Sequence, residues 1–370
     1  MRSKGKVLFI AHLDSHIQAF HIPYLKMFKE NGYEVYVASC GDRIFEYCDK
    51  KYNLPFARNP MHFNNFQALK KLKKIMDENS FEIVHCHTPV GGVVARIANR
   101  ISKNYQNSRM IYTAHGFHFF SGAPIINWVL YYPIERLCAR FTDTLITINK
   151  EDYTRAMQFK LKKGGSIHYV PGVGMNLDKI NQISGDRAEL IDSLHIPKKS
   201  TLLLSVGELN KNKNHETVIK ALPLLPDSIH YLICGQGDLK MNLTDLAKKL
   251  GVSNRVHMLG FRNDVIQIMK SCDVFVFPSK REGLSVALME AKASGLLCIV
   301  SNVRGNKDLI TDNIDGFVLD LNDFQEKIIA VLENEKGVFK SLIEAGLENV
   351  KKYSLDEVSI QMKNIYELEV

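Results

Sequence analysis

Short apolar runs alternate with longer amphipathic stretches through the whole chain. In the first half the pattern predicts strands at 7–11 (within 6–13), 34–39, 83–87, 110–113 and 144–148, with helices at 20–31, 66–78 and 92–102. Gly32 stops the first of these helices. In the second half the pattern restarts, with strands at 201–206, 230–234, 256–259, 274–277 and 297–301. Helices at 214–222, 239–250, 265–270 and 284–293 separate them. Strands bounded by helices at this pitch call for β-α-β units around a buried parallel sheet, and right-handed crossovers make each sheet doubly wound. Pro171, Gly172, Gly174, Gly185 and Pro197 punctuate a polar stretch between the halves, which marks a boundary. The expected domains are 1–175 and 176–354, with an amphipathic helix at 355–368 placed to close either one.

A chain of 370 residues exceeds the size at which one core stops growing, about 250–300 residues, which agrees with two α/β domains. Ligands of such sheets lie beyond the carboxyl ends of the strands, so the expected site is a cleft between two Rossmann-like domains. Hydrophobic residues make up 45% and charged residues 24%, which excludes disorder as the main state. Seven scattered cysteines, never spaced as CxxC, argue against a zinc ribbon or a disulfide scaffold. The basic N-terminus has too short an apolar run for a signal peptide, and no run of about 20 apolar residues crosses a membrane. A cytoplasmic protein, at most peripheral at the inner face of the plasma membrane, is expected.

Charge divides unevenly. Residues 1–175 hold 24 Lys and Arg against 13 Asp and Glu, whereas the remainder holds 24 against 27. A basic half points to an anionic partner, lipid headgroups or a pyrophosphate-linked acceptor, although the lysines at 70, 71, 73 and 74 also suit a solvated helix face. Nucleic acid is not expected, because the basic runs lack interleaved aromatics. The apolar and aromatic concentration over 117–138 reads as core or as a surface dipping into the membrane interface.

The most informative stretch is PSKREGLSVALMEAKASG, 278–295. It follows an apolar strand, so Glu282, Gly283, Leu284 and Ser285 fall at a strand-to-helix turn. Unpaired N–H groups and the positive helix end there suit a phosphate. Glu290 lies mid-helix among Ala287, Leu288, Met289 and Ala291. A carboxylate there needs hydrogen-bond donors, either vicinal hydroxyls of a ribose or a protein cation.

The E-x7-E spacing of Glu282 and Glu290 resembles that of the retaining family 4 glycosyltransferases of the GT-B fold. SVGELNKNKNH, 205–215, is similar to that family's second-domain phosphate loop, CGQGD to its next strand end and LGFRNDV to its base-side loop. The resemblance implies a nucleotide-diphosphate-sugar donor, most simply a UDP-sugar, and a lipid-linked or other saccharide acceptor. It implies that Lys213 holds the diphosphate, that Glu282 meets the transferred sugar, and that Glu290 meets the ribose. Gly207, Glu208, Gly283, Leu284 and Ser285 would line the nucleotide. His115, after a first-domain strand, would lie near the reacting end of the sugar, with His118 as the alternative. No metal and no cofactor beyond the donor substrate is expected, and His85-x-His87 shows no third ligand.

Two departures stand out. The family usually has Arg after the phosphate-loop glycine, whereas here Gly207 is followed by Glu208, so Lys211, Arg281 or Arg262 would have to replace it. The first loop reads AHLDSHIQAFH and lacks the Gly-Gly of many relatives. Both point to a subfamily resembling bacterial capsule and exopolysaccharide transferases. A sugar-nucleotide epimerase and a catalytically silent assembly subunit are the competing expectations. Asp14 reads as a helix cap.

Overall fold

A computed structural model describes residues 4–333 and 336–368. Two compact units emerge, one from residues up to Gly174 together with those from Val358 on, the other Met175–Glu357. The first is built on seven strands: β1 (Lys6–Leu13), β2 (Glu34–Cys40), β3 (Lys50–Asn53), β4 (Ile83–His87), β5 (Arg109–Ala114), β6 (Thr144–Thr147) and β7 (Ser166–Tyr169). All pairs are parallel, in the order β3-β2-β1-β4-β5-β6-β7. The second sheet holds β8 (Thr201–Val206), β9 (Ile229–Cys234), β10 (Val256–Gly260), β11 (Val274–Phe277), β12 (Leu297–Ser301) and β13 (Phe317–Leu319). Its order is β10-β9-β8-β11-β12-β13, again parallel throughout.

The central strands are apolar on both faces because helices cover both. Leu8, Phe9 and Ile10 of β1 are fully buried, as are Leu202, Leu203 and Leu204 of β8. Each buried side chain of this size stabilises the fold by about 1.5–3 kcal/mol relative to exposure. In each sheet the chain order reverses beside the first strand, between β1 and β4 and between β8 and β11. The connections diverge there to opposite faces and leave a crevice at the carboxyl ends. Those two places position the chemistry described below.

The elements missing from the pattern are mostly small or polar. β3 reads KKYN with no buried residue, and β13 has three residues. The helix expected over 20–31 is two, Asp14–Phe20 and Ile22–Glu30, with His21 between them and Pro23 in the first turn of the second. The concentration over 117–138 contains the helix Ile125–Ala139. In the final helix, Leu355–Tyr366, residues Val358, Met362, Ile365 and Tyr366 are buried in the core of the first unit. The Tyr366 hydroxyl lies 2.7 Å from His85 Nδ1, and Thr113 Oγ1 lies 2.8 Å from Nε2, so His85 is a satisfied core residue.

Among the described residues all seven cysteines are free, and no helix is long and apolar enough to cross a membrane. Lys73 and Lys74 pair with Asp77 and Glu78 one turn on, as on a solvated helix face.

Candidate functional site

In the second unit, the loops after β8 and β11 are stitched together. Asn210 Oδ1 accepts from the backbone N–H groups of Asn212 and Lys213, each at 3.0 Å, which curls the first loop. The amide of Lys280 donates to the Asn212 carbonyl at 2.8 Å, and Asn212 Nδ2 donates to the Arg281 carbonyl at 3.0 Å. Buried Asn214 donates to the Pro278 carbonyl at 3.1 Å. These ties hold Lys213 Nζ 2.7 Å from Glu282 Oε1, the two side chains 19% and 11% exposed. The ammonium also lies 4.5 Å from the centroid of the Phe277 ring.

Glycines make the close approaches. A Cβ on Gly207 would stand 3.0 Å from Cε of Lys213, so glycine lets the lysine lie close across its own loop. A Cβ on Gly235 would fall 1.8 Å from the Gly207 carbonyl oxygen, and one on Gly305 would fall 2.3 Å from that of Gly283. The ends of β8, β9, β11 and β12 therefore converge on one place. Ser285 caps the helix Val286–Ala293, its Oγ accepting from the Leu288 N–H at 3.4 Å. The N–H groups at this helix start have no intrahelical partner.

Glu290 projects from the same helix. Its carboxyl makes no hydrogen bond or ion pair among the described residues, and burial pushes its pKa up to about 7. The cation two residues on, Lys292, is committed elsewhere, to buried Asp315 and to the Leu309 carbonyl. The alternative of a protein cation on Glu290 is therefore not what is found.

Glu208 is exposed and accepts a 2.8 Å hydrogen bond from Asn210 Nδ2. Of the cations expected to replace the missing arginine, Arg262 is held by Asp264, while Lys211 and Arg281 are exposed. Pattern reading missed Arg304, the first residue of the helix Arg304–Leu309, whose Nε donates to the Glu282 carbonyl at 3.2 Å. No spacing rule marks it, because it arrives from a separate strand end.

The carboxyl ends of the first sheet carry different chemistry. His115, directly after β5, lies with its Nε2 3.3 Å from His16 Nε2 and 3.4 Å from His87 Nδ1. Burial, and then the neighbouring His16 and His85, hold its pKa well below the usual histidine range. Burial takes His16 down to about 4. His118 stays apart, stacked on Tyr131 with centroids 4.6 Å apart. Asp14 is no helix cap. Burial raises its pKa, but hydrogen bonds from Ser39 Oγ (2.6 Å), the Arg43 N–H (2.8 Å) and Lys51 (3.0 Å) outweigh that and leave it lowered.

The two parallel sheets and their order have known counterparts. The family described as "Glycosyl transferases group 1" matches residues 186–348, and "Glycosyl transferase 4-like" matches 6–149. The glycosyltransferase-family protein EpsD of Bacillus subtilis is 36% identical over 367 residues, 98% of this chain and 96% of that one. The chain belongs to the group 1 glycosyltransferases, with a family 4-like first domain. An Escherichia coli relative of this glycosyltransferase is 32% identical over 74% of this chain and 72% of its own. It is named UDP-Gal:alpha-D-GlcNAc-diphosphoundecaprenol alpha-1,3-galactosyltransferase. Anabaena HepE, solved with UDP and glucose, superposes with a TM-score of 0.78 at 18% identity, covering 98% of this chain and 99% of its own. That likeness shows the GT-B fold.

Proposed function

We propose that this glycosyltransferase moves a sugar, with retention of anomeric configuration, from a UDP-sugar to a lipid-linked saccharide at a membrane surface. The observation that carries the donor half is Glu290, a mostly buried carboxyl without a protein partner on the segment that also holds Glu282. Two vicinal ribose hydroxyls supply the donors such a group lacks. Lys213 pairs with Glu282. A diphosphate takes over the lysine's charge, which frees the Glu282 carboxylate for the sugar's hydroxyls. As the glycosidic bond breaks, negative charge grows on the departing nucleotide, and Lys213 with the N–H groups near Gly283–Ser285 stabilises it. His115 would meet the sugar's reacting end through Nδ1, the ring nitrogen it does not turn toward His16 and His87.

The acceptor half rests on the relatives' names, which include a diphosphoundecaprenol-linked substrate, and on the helix Ile125–Ala139. Its polarity is inverted. Glu135 faces inward, bonded to Arg96 at 2.7 Å and to the Tyr112 hydroxyl at 3.2 Å. Ile125, Ile126, Val129, Leu130, Ile134 and Leu137 are exposed, Ile125 by 81%. A contiguous apolar face of this kind marks an interaction surface, and Arg136 and Arg140 at its end are exposed, as suits anionic headgroups. The transferase names of the long relatives favour this reading over an epimerase or a silent subunit.

The test is transfer from UDP-sugars to a diphosphoundecaprenol-linked sugar in anionic vesicles, with the product's anomeric configuration read by NMR. The account expects retention and loss of vesicle binding when Ile126, Val129 and Leu130 are all changed to Ser. Inversion, or transfer only from GDP- or ADP-sugars, contradicts it.

A further inference from the structure

His16 lies on the helix Asp14–Phe20, His21 just after it, His87 at the end of β4 and His115 just after β5. One ring nitrogen from each lies within 4.8 Å of those of the other three. We propose that these four histidines form a binding site for a zinc-class divalent cation.

Two of the six nitrogen separations already match such a site, and all six lie within 4.8 Å. With zinc–nitrogen bonds of about 2.0–2.1 Å, the edge of a tetrahedron of ligands is about 3.3–3.4 Å. The Nε2 of His115 stands 3.3 Å from His16 Nε2 and 3.4 Å from His87 Nδ1. Hydrogen bonding alone does not satisfy that arrangement. A neutral ring nitrogen carries one N–H or one lone pair, so His115 Nε2 can serve only one of two neighbours at hydrogen-bond range. Both ring nitrogens of His21 are also buried with no partner, and the residue is 2% exposed. Buried polar groups are normally paired, and a cation that accepts a lone pair supplies a partner for one of the two.

The donor set decides the class of ion. Four imidazoles and no carboxylate suit Zn²⁺, Ni²⁺ or Cu²⁺ and not Mg²⁺ or Ca²⁺. The carboxylate on the same helix, Asp14, is engaged by Ser39, Arg43 and Lys51. An ion here clips the helix Asp14–Phe20 to the ends of β4 and β5. The inference rests on the first unit's geometry and not on the donor reading.

The test titrates the full chain, free of any histidine tag and stripped with EDTA, with Co²⁺ and then Zn²⁺. Expected are one equivalent of Co²⁺ with the intense visible bands of four-coordinate nitrogen ligation, displacement by Zn²⁺, and a rise in melting temperature. His16→Gln, at a half-buried position, should keep the EDTA melting profile and weaken binding at least tenfold. His257→Gln should not change binding, although its ring stands 3.0 Å from His230 in the second unit. Absence of the bands at millimolar Co²⁺, or an unchanged titration in His16→Gln, overturns the proposal.

Discussion

The two sheets share a topology but present opposite chemistry at their carboxyl ends. Beside β8 and β11 stand an ion pair, Lys213 with Glu282, and an ionisable carboxyl, Glu290. Beside β1, β4 and β5 stand neutral histidines pressed together. The same crevice, formed where strand order reverses, is lined by an ion pair and a carboxyl in one unit and by imidazole rings in the other. Topology therefore says where a site lies, and only the side chains say what it handles.

The largest expected effect falls on the charged end. Lys213→Ala should lower the rate of sugar transfer about 10²–10³-fold, as loss of one positioned stabiliser of transition-state charge does. The change leaves Glu282 mostly buried and unpaired, so a melting curve must accompany the kinetics. If turnover stays within threefold of the parent, the contrast between the two ends loses its catalytic meaning.

Glu290 sharpens the contrast through pH. Its folded-state value near 7 stands above the ordinary carboxylate value of 4.5, so the folded chain holds the proton more tightly than the unfolded one. Its contribution to stability is therefore greatest below pH 4.5, falls between pH 4.5 and 7, and is constant above. Glu290→Gln should raise stability at pH 8 by up to about 3 kcal/mol and at pH 4.5 by little. The same variant should bind nucleotide more weakly at pH 8. A variant equally stable at both pH values would show that the carboxyl is not desolvated.

How far these features could be read from the sequence follows from how each site is assembled. The β-α-β rhythm exposed both sheets, since buried parallel strands are continuous apolar runs, whereas polar β3 and three-residue β13 carry no such run. The second-unit residues come from two contiguous loops with fixed spacing, so Lys213, Glu282 and Glu290 could be picked out. Arg304 escaped notice because its approach to Glu282 is set by the packing of Gly305 against Gly283. His16, His21, His87 and His115 come from three separate stretches, and only the strand order brings them together. Of the His85-x-His87 pair, one ring belongs to the cluster and the other to the core.

The smallest effect tests the other end. Tyr366→Phe removes the hydroxyl 2.7 Å from His85 and should lower stability by about 1 kcal/mol, by urea denaturation, with nucleotide affinity unchanged. A change in nucleotide affinity would mean the two ends are coupled.

The most direct measurement is a calorimetric cycle that compares UDP with its 2′,3′-dideoxy analogue on the parent chain and on Glu290→Gln at pH 8. The account predicts that losing the ribose hydroxyls weakens binding at least tenfold in the parent and by much less in the variant. Equal losses in both proteins, or none in the parent, would remove Glu290 from the nucleotide site.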